Sequence, residues 1–157
     1  MINGNALTLI PQLPEGKTTQ LSIAKGALVG TNGASFDGLA GYEVTTADLS
    51  EPVLVSTVPP MNGEAETSGT IQFIFNKPVF VTGNWTATIT SGNETSEIPA
   101  DFMRAEGSKL FFPFEASSYM FFTVEIAEGS IADKNGNEYS EDIVLFFHTK
   151  GGCWVCV

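Results

Sequence analysis

The chain has few of the residues on which binding and catalytic chemistry most often depend. It contains one histidine, two cysteines and seven lysines and arginines in 157 residues, against 18 acidic residues, so its net charge is −11. Phosphate binding needs clustered Lys and Arg, so this shortage excludes nucleic acid as a partner and argues against electrostatic docking on anionic lipid. The acidic surface mainly favours solubility, and calcium is the one partner it would attract. With one histidine and both cysteines in the last five residues, the folded part of the chain cannot supply an ordinary zinc site.

Long apolar runs are also missing. No run approaches the roughly 20 residues that a membrane-spanning helix requires, so we expect no membrane insertion in this segment. After Met1 the chain passes to a polar INGN and a strand-like ALTLI, and we therefore expect no signal peptide in it. A body without thiols fits a protein exported by a bacterium, although cytosolic proteins also lack disulfides.

Short β-type segments recur along the whole chain. They are rich in Val, Ile, Phe and Thr and are separated by clusters of Gly, Asn, Pro and Ser. In TIQFIF and NWTATIT the apolar and polar residues alternate with period 2, which predicts strands with one buried face. SGNETS is typical of a hairpin connection. Sustained helical spacing of apolar residues with helix caps is absent, and at most a single turn is expected around EGSIAD. The sequence therefore predicts an all-β protein.

An internal repeat organises these strands. LSIAKGALVGTNG, which begins at Leu21, matches VEIAEGSIADKNG, which begins at Val124, so the two copies lie 103 positions apart. The match extends without a gap from positions 4–46 to positions 107–149. A period near 100 residues corresponds to one β-sandwich domain rather than to a solenoid repeat.

The repeat also predicts the domain boundaries. We expect residues 1–46 to be the C-terminal half of a truncated domain, 47–51 a linker, 52–150 a complete domain and 151–157 a tail. Half a sandwich cannot bury its inner faces alone, so the chain is expected to be part of a longer protein. In the alternative, the first segment adds strands to the complete domain or to another copy of the chain.

The complete domain carries five segments in a fixed order. They are PVLVSTVPPMNGEAE, TIQFIFNKPVF, KLFFPF, TVEIAEGSIADKNGN and a closing strand that ends in FFHT. In this order they resemble the bacterial Ig-like domains typified by the surface-layer protein SbsA, in full over about residues 50–150 and in part over 1–46. The resemblance implies an antiparallel Greek-key Ig-like β-sandwich, found in tandem in exported and cell-surface bacterial proteins. It implies no catalytic residues.

The segment IADKNGNEYSED is the main candidate for a metal site. Its carboxylate and amide side chains are Asp133, Asn135, Asn137, Glu138, Glu141 and Asp142. An EF-hand loop needs Gly at its sixth position and Glu at its twelfth. Counted from Asp133, the glycine comes fourth and the twelfth residue is Val144. In the first copy of the repeat, Gly30 is the counterpart of Asp133 and Ala34 the counterpart of Asn137, whereas both copies contain the Asn-Gly pair. We therefore predict a tight turn and no metal ligands.

Candidate catalytic groups are scattered. His148 lies on the final strand without a local nucleophile or orienting acid, and its counterpart is Thr45, so a partly buried strand histidine is expected. Carboxylates available for glycoside hydrolysis are Glu66, Asp101, Glu106, Glu115 and Glu125. They read as isolated acids on outer strand faces. We predict no catalytic, cofactor-binding or metal-binding residues, no cofactor, and no enzymatic activity.

Aromatic side chains are the remaining candidates for binding. Trp85 alternates with threonines in a way that places it on the core side, although a sugar-stacking role is the alternative. Phe111, Phe121 and Phe147 each adjoin another phenylalanine, so one member of each pair points away from the core. If the exposed members cluster, they mark an interface.

The tail GGCWVCV contains a C-x-x-C pair, Cys153 and Cys156. A thioredoxin-like motif opens a helix after a strand, whereas this pair follows Gly-Gly. We therefore expect a flexible end or the start of a further segment. Exposed Trp154 and Val155 would favour aggregation or an interchain disulfide.

These observations favour a non-catalytic structural or adhesive Ig-like module of a bacterial cell-surface or secreted multidomain protein. Its expected partners are neighbouring Ig-like domains of the same protein and a cell-wall or host glycan or protein. The alternative is a carbohydrate-binding accessory module of an extracellular glycoside hydrolase.

Overall fold

The computed structural model describes residues 1–151, and the chain divides into two compact units between Leu49 and Ser50. Unit 1 contains β1 (Ile2–Asn3), β2 (Ala6–Leu7), β3 (Thr18–Ile23) and β4 (Leu39–Thr45). Unit 2 contains β5 (Leu54–Val58), β6 (Gly63–Ala65), β7 (Ser68–Phe75), β8 (Phe80–Val81), β9 (Ala87–Ser91), β10 (Glu94–Glu97), β11 (Arg104–Glu106), β12 (Lys109–Glu115), β13 (Phe121–Ile126), β14 (Ile131–Ala132) and β15 (Ile143–Thr149). The all-β prediction is confirmed.

Two sheets form the body of unit 2. One has the strand order β10-β9-β13-β15-β6 and the other the order β11-β12-β7-β5, and β8 and β14 form a separate two-stranded ladder. All pairs are antiparallel except β6 with β15, which are parallel. The chain crosses repeatedly between the sheets, as from β7 to β9 and from β12 to β13. This is the Greek-key arrangement of an Ig-like sandwich.

The core of unit 2 lies between these sheets. The period-2 alternation of β7 buries Ile71, Phe73 and Phe75, which confirms the predicted inner face. Residues of the opposite sheet pack against them, and the Phe114 ring contacts the Phe147 ring edge-on at 5.2 Å between centroids. The buried apolar residues that form one contiguous cluster are Ile71, Phe73, Phe75, Val79, Ala87, Ile98, Met103, Leu110, Phe112, Phe114, Val124, Ile126, Ile131, Ile143, Leu145 and Phe147.

Local structure follows the turn residues. β9 and β10 form the predicted hairpin, with Gly92 at φ +60° in the turn. A short 3₁₀ helix forms at Ala100–Phe102. In EGSIAD, Glu128 and Gly129 form a single turn in which the Ser130 N–H donates to the carbonyl of Ala127 at 3.2 Å, and β14 begins at Ile131. Residues 1–151 contain no helix with the length and apolar character that a membrane crossing requires.

The strands of unit 2 define two poles. The N-terminal pole holds the start of β5, the end of β7, the start of β12 and the turn between β14 and β15, since Leu54 pairs with Phe75 and the Phe75 N–H donates to Ser108. The C-terminal pole holds the start of β13 and the end of β15, where the Thr149 N–H donates to the carbonyl of Met120. The chain therefore begins the sandwich at one pole and leaves it at the other.

Unit 1 repeats part of this framework. β3 and β4 pair antiparallel with Thr18 opposite Thr45, and β13 and β15 pair with Phe121 opposite His148, at positions shifted by 103. The β1–β2 hairpin corresponds in the same way to β11–β12. The register of unit 1 departs from that of unit 2 near Ile23, where a bulge interrupts the ladder.

Candidate functional site

The turn between β14 and β15 is built around Asp133. Its side chain is only 2% exposed, and its Oδ1 accepts the backbone N–H groups of Asn135 (2.8 Å) and Asn137 (3.1 Å). Its Oδ2 accepts the side-chain amide of Asn137 at 3.0 Å. Gly136 adopts φ +83°, a conformation that glycine allows at little cost. The carboxylate thus serves as the centre of a tight turn, as the Asn-Gly pattern predicts.

Lys77 supplies the cation of this site. Its Nζ lies 3.1 Å from Asp133 Oδ2, 2.7 Å from the carbonyl oxygen of Ser50 and 3.0 Å from Ser50 Oγ. A carboxylate, a carbonyl and a hydroxyl are ligands that a hard cation would also choose, and here the ammonium takes them. The Ser140 N–H donates to Glu51 Oε2 at 3.1 Å, so two loops hold the first residues of unit 2.

The ionisation of Asp133 reflects these contacts. Burial raises the pKa of its carboxyl, but hydrogen bonds from Asn137, Asn135 and Lys77 lower the pKa by a larger amount. The resulting pKa is about 2. The carboxylate is therefore charged throughout the physiological pH range. Its negative charge faces the Lys77 ammonium, whose side chain is 17% exposed.

The other acids of IADKNGNEYSED lie apart from this carboxylate. Glu138, Glu141 and Asp142 are exposed, and Asp142 Oδ1 accepts the backbone N–H of Glu128 at 2.9 Å. Among the residues that the structure describes, no group of three or more His, Cys, Asp or Glu side chains could hold a metal ion. The tail cysteines, Cys153 and Cys156, lie outside the described residues.

His148 belongs to an exposed aromatic surface at the C-terminal pole. The histidine is half-buried on β15, with Nε2 3.3 Å from Glu64 Oε1 and its ring 5.5 Å from that of Phe121. Phe121 is 73% exposed and Phe146 is 48% exposed on the same outer sheet face. We call Phe121, Phe146, His148 and Glu64 the Phe121 surface. A cavity of about 440 Å³ adjoins its three ring-bearing residues.

The remaining sequence candidates have separate positions. Trp85 packs against the core and donates its indole N–H to the carbonyl of Ile98 at 2.7 Å, as predicted for a core-facing residue. Phe147 is buried and Phe111 half-buried, so of the three uncertain phenylalanines only Phe121 is exposed. The five candidate carboxylates are all exposed: Glu66, Asp101, Glu106, Glu115 and Glu125.

Some of these carboxylates take part in surface contacts. Glu66 pairs with the ammonium of Lys150, and Glu115 lines a groove of about 510 Å³ together with Glu94 and Glu97. Apolar residues, among them Phe122, also line that groove.

Sequence reasoning missed Lys77 and the partners of His148. Lys77 lies in the FNKPV segment that supports the family resemblance, but its role depends on the turn 56 positions later. Glu64 reaches His148 through the parallel pairing of β6 with β15. Neither contact leaves a periodic signal in the sequence.

The two crossed-over sheets, their apolar core and the Asp133 turn before the closing strand define an Ig-like β-sandwich module. The family model for the bacterial Ig-like domain matches residues 48–149, and the chain belongs to that family. Domains of this family occur in extracellular or surface proteins and are generally non-catalytic. No curated protein and no solved structure matches the chain. The resemblance to the surface-layer type in particular stays a prediction.

Proposed function

We propose that the chain is a non-catalytic, load-bearing spacer of a secreted or cell-surface bacterial protein, of the surface-layer type. It acts between neighbouring Ig-like domains of the same polypeptide. The observation that carries this proposal is the course of the chain through unit 2, which enters at the N-terminal pole and leaves at the C-terminal pole.

The first and last parts of unit 2 are joined in a way that resists extension. β6 and β15 run parallel, with the Asn62 N–H donating to Phe146 at 2.7 Å and the Lys150 N–H donating to Ala65 at 2.9 Å. Tension applied through the two ends pulls β6 toward the N-terminal pole and β15 toward the C-terminal pole. The hydrogen bonds between β6 and β15 are then loaded in shear. Because all of them carry the load at once, they must break together rather than one after another.

The N-terminal pole adds a second attachment. Lys77 binds Ser50 and Asp133 simultaneously, and Asn76 exchanges hydrogen bonds with Val53 through its backbone N–H and its side-chain Oδ1. Force on the chain ahead of β5 is therefore shared with the turn before β15. A spacer needs such attachment because a frayed first strand would lengthen and soften the module.

Single-molecule pulling of the full chain between two marker domains tests the proposal. Lys150→Pro removes the backbone donor to Ala65, and Lys150→Met removes the same ammonium but keeps the donor. We expect a lower unfolding force for Lys150→Pro than for Lys150→Met, while equilibrium stability differs by only about 1 kcal/mol. Equal forces for the two variants would contradict a load-bearing role for the β6–β15 pair.

A carbohydrate-binding role is the second candidate, and the Phe121 surface favours it. An exposed ring beside His148 and Glu64 offers an apolar face together with hydrogen-bonding groups, a combination suited to a sugar ring. Affinity electrophoresis against cell-wall and plant polysaccharides compares the wild type with Phe121→Ala, and with Phe102→Ala as a control at another exposed aromatic. Saturable binding lost only in Phe121→Ala would establish adhesion and overturn the spacer-only function.

A further inference from the structure

Unit 1 and unit 2 each contain the same internal hydrogen bonds at equivalent positions, although their sequence identity is low. In unit 1, Thr46 Oγ1 donates to the carbonyl of Pro14 at 2.6 Å and accepts the N–H of Lys17 at 3.2 Å. Thr149 makes the same two bonds with the residues 103 positions further on, at 2.7 and 2.9 Å. The hairpin ladder is therefore fixed at its open end by the same device in both units.

Backbone conformation repeats even where the residues differ. Gly16 has φ +63°, and its counterpart Tyr119 has φ +61°, a value rare for a residue with a side chain. The glycines of the two Asn-Gly turns, Gly33 and Gly136, have φ +80° and +83°. Unit 1 thus has the conformation of the second half of an Ig-like sandwich.

Burial is where the two units differ. Among residues 1–49, all of which the structure describes, none is buried. Ile126 is 1% exposed and Leu145 0%, whereas their counterparts Ile23 and Tyr42 are half-buried and 58% exposed. In unit 2 the inner face that carries these positions packs against the β11-β12-β7-β5 sheet, and β9 pairs with β13 at its side. The equivalent face of unit 1 carries an apolar pattern with no such cover of its own.

Strand length agrees with this difference. β12 pairs with β7 over the seven residues Lys109–Glu115, while the equivalent strand of unit 1, β2, ends after Ala6–Leu7. A strand without its neighbour has no ladder to extend it. The strands of unit 2 without a counterpart in unit 1 are β5 to β10, which lie within residues 50–103.

We propose that the apolar face of unit 1 binds a set of strands with the pattern of residues 50–103, placed directly ahead of residue 1 in the same polypeptide. Leu7 would then pair with the donor residue equivalent to Phe73, and Leu21 with the one equivalent to Ile89, as Leu110 and Val124 do in unit 2. The result is a complete Ig-like domain preceding unit 2.

A second copy of this chain is a poorer donor. Its own residues 50–103 already bury Phe73 and Ile71 in the core of unit 2, and donating them would expose that core. Each chain also carries a net charge of −11, which opposes association between copies. A separate upstream segment has neither cost, and its attachment to residue 1 raises its effective concentration.

The test extends the full chain at its N-terminus with a second copy of residues 50–103 and measures amide hydrogen exchange. We expect residues 6–12 and 18–45 to exchange at least about tenfold more slowly than in the unextended chain. In the extended chain Ile23→Glu should abolish this slowing. Ser22→Glu should preserve the slowing, because Ser22 lies on the outer face and its counterpart in the repeat is Glu125.

Three results would overturn the proposal. The first is an unextended chain whose β3–β4 amides exchange as slowly as those of β13–β15, with Ile23→Glu as harmful as Ile126→Glu. The second is slowing in the unextended chain that rises with protein concentration, which would identify a second copy as the donor. The third is absence of slowing both in the extended chain and in the extended chain with Tyr42→Leu. This substitution gives unit 1 the leucine that unit 2 has at the equivalent position, Leu145, and so removes a mismatch in size.

Discussion

Replacing Asp133 by asparagine tests whether the turn before β15 depends on charge. The substitution keeps the side-chain shape and the oxygen that accepts the N–H groups of Asn135 and Asn137. It removes the negative charge and leaves the Lys77 ammonium, 17% exposed, facing a neutral amide. The amide nitrogen also brings a donor toward groups that themselves donate. The variant therefore removes the charge of the site and one of its two acceptor oxygens while keeping the side-chain shape.

The magnitude follows from the pKa of the carboxyl. A fall from 3.8 to about 2 on folding corresponds to about 2 kcal/mol of stability at neutral pH, at 1.36 kcal/mol for each pKa unit. The side chain is 2% exposed, so solvent screens this contribution little. This value already contains the contact with Lys77. The amide nitrogen adds to the loss by bringing a donor toward other donors, and we expect Asp133→Asn to cost about 3 kcal/mol in total. For a domain of about 100 residues this lowers the Tm of unit 2 by about 10–20 °C.

The pH dependence gives the sharper test. The folded-state pKa of Asp133 lies below the unfolded value, so its stabilisation is complete above pH 3.8 and is lost as the pH falls toward about 2. Differential scanning calorimetry from pH 7 to pH 2 should show a constant Tm difference between wild type and Asp133→Asn down to about pH 4, and then a shrinking one. Asp101→Asn, at an exposed acid, is the control and should follow the wild type. Parallel curves for wild type and Asp133→Asn across the whole range would refute the reasoning.

Two further predictions follow from the same structure. Millimolar calcium should leave the Tm of the wild type unchanged, because Lys77 and backbone N–H groups occupy the oxygens of Asp133; a rise of several degrees in a thermal melt would contradict this. Ile126→Ala should cost about 2–5 kcal/mol in urea denaturation of unit 2. Its counterpart Ile23→Ala, in the unextended chain, should cost less than about 1 kcal/mol for unit 1, since little apolar area is covered there; equal losses would show that both faces are packed.

Much of the fold is predictable from local patterns. A buried strand face is predicted from Ile71, Phe73 and Phe75, because side chains in a strand alternate between its two faces with period 2. This alternation does not depend on the rest of the chain. The shared Asn-Gly pairs, as at Gly33 and Gly136, predict a tight turn because few residues accept positive φ. The repeat then aligns residues 4–46 with residues 107–149 without any structural information. These signals are short-range, so the sequence displays them directly.

The sequence by itself determined that this is an all-β chain. It also predicts one full sandwich, a repeated half and a turn in place of a metal loop. Only the tertiary structure decided which charges meet. Lys77 lies 56 positions from Asp133 and Glu64 lies 84 positions from His148, and both pairs form because the sheets bring distant strand ends together. Such contacts depend on the packing of the whole domain, since the partners of a side chain are set by strand order and register rather than by its neighbours in the chain.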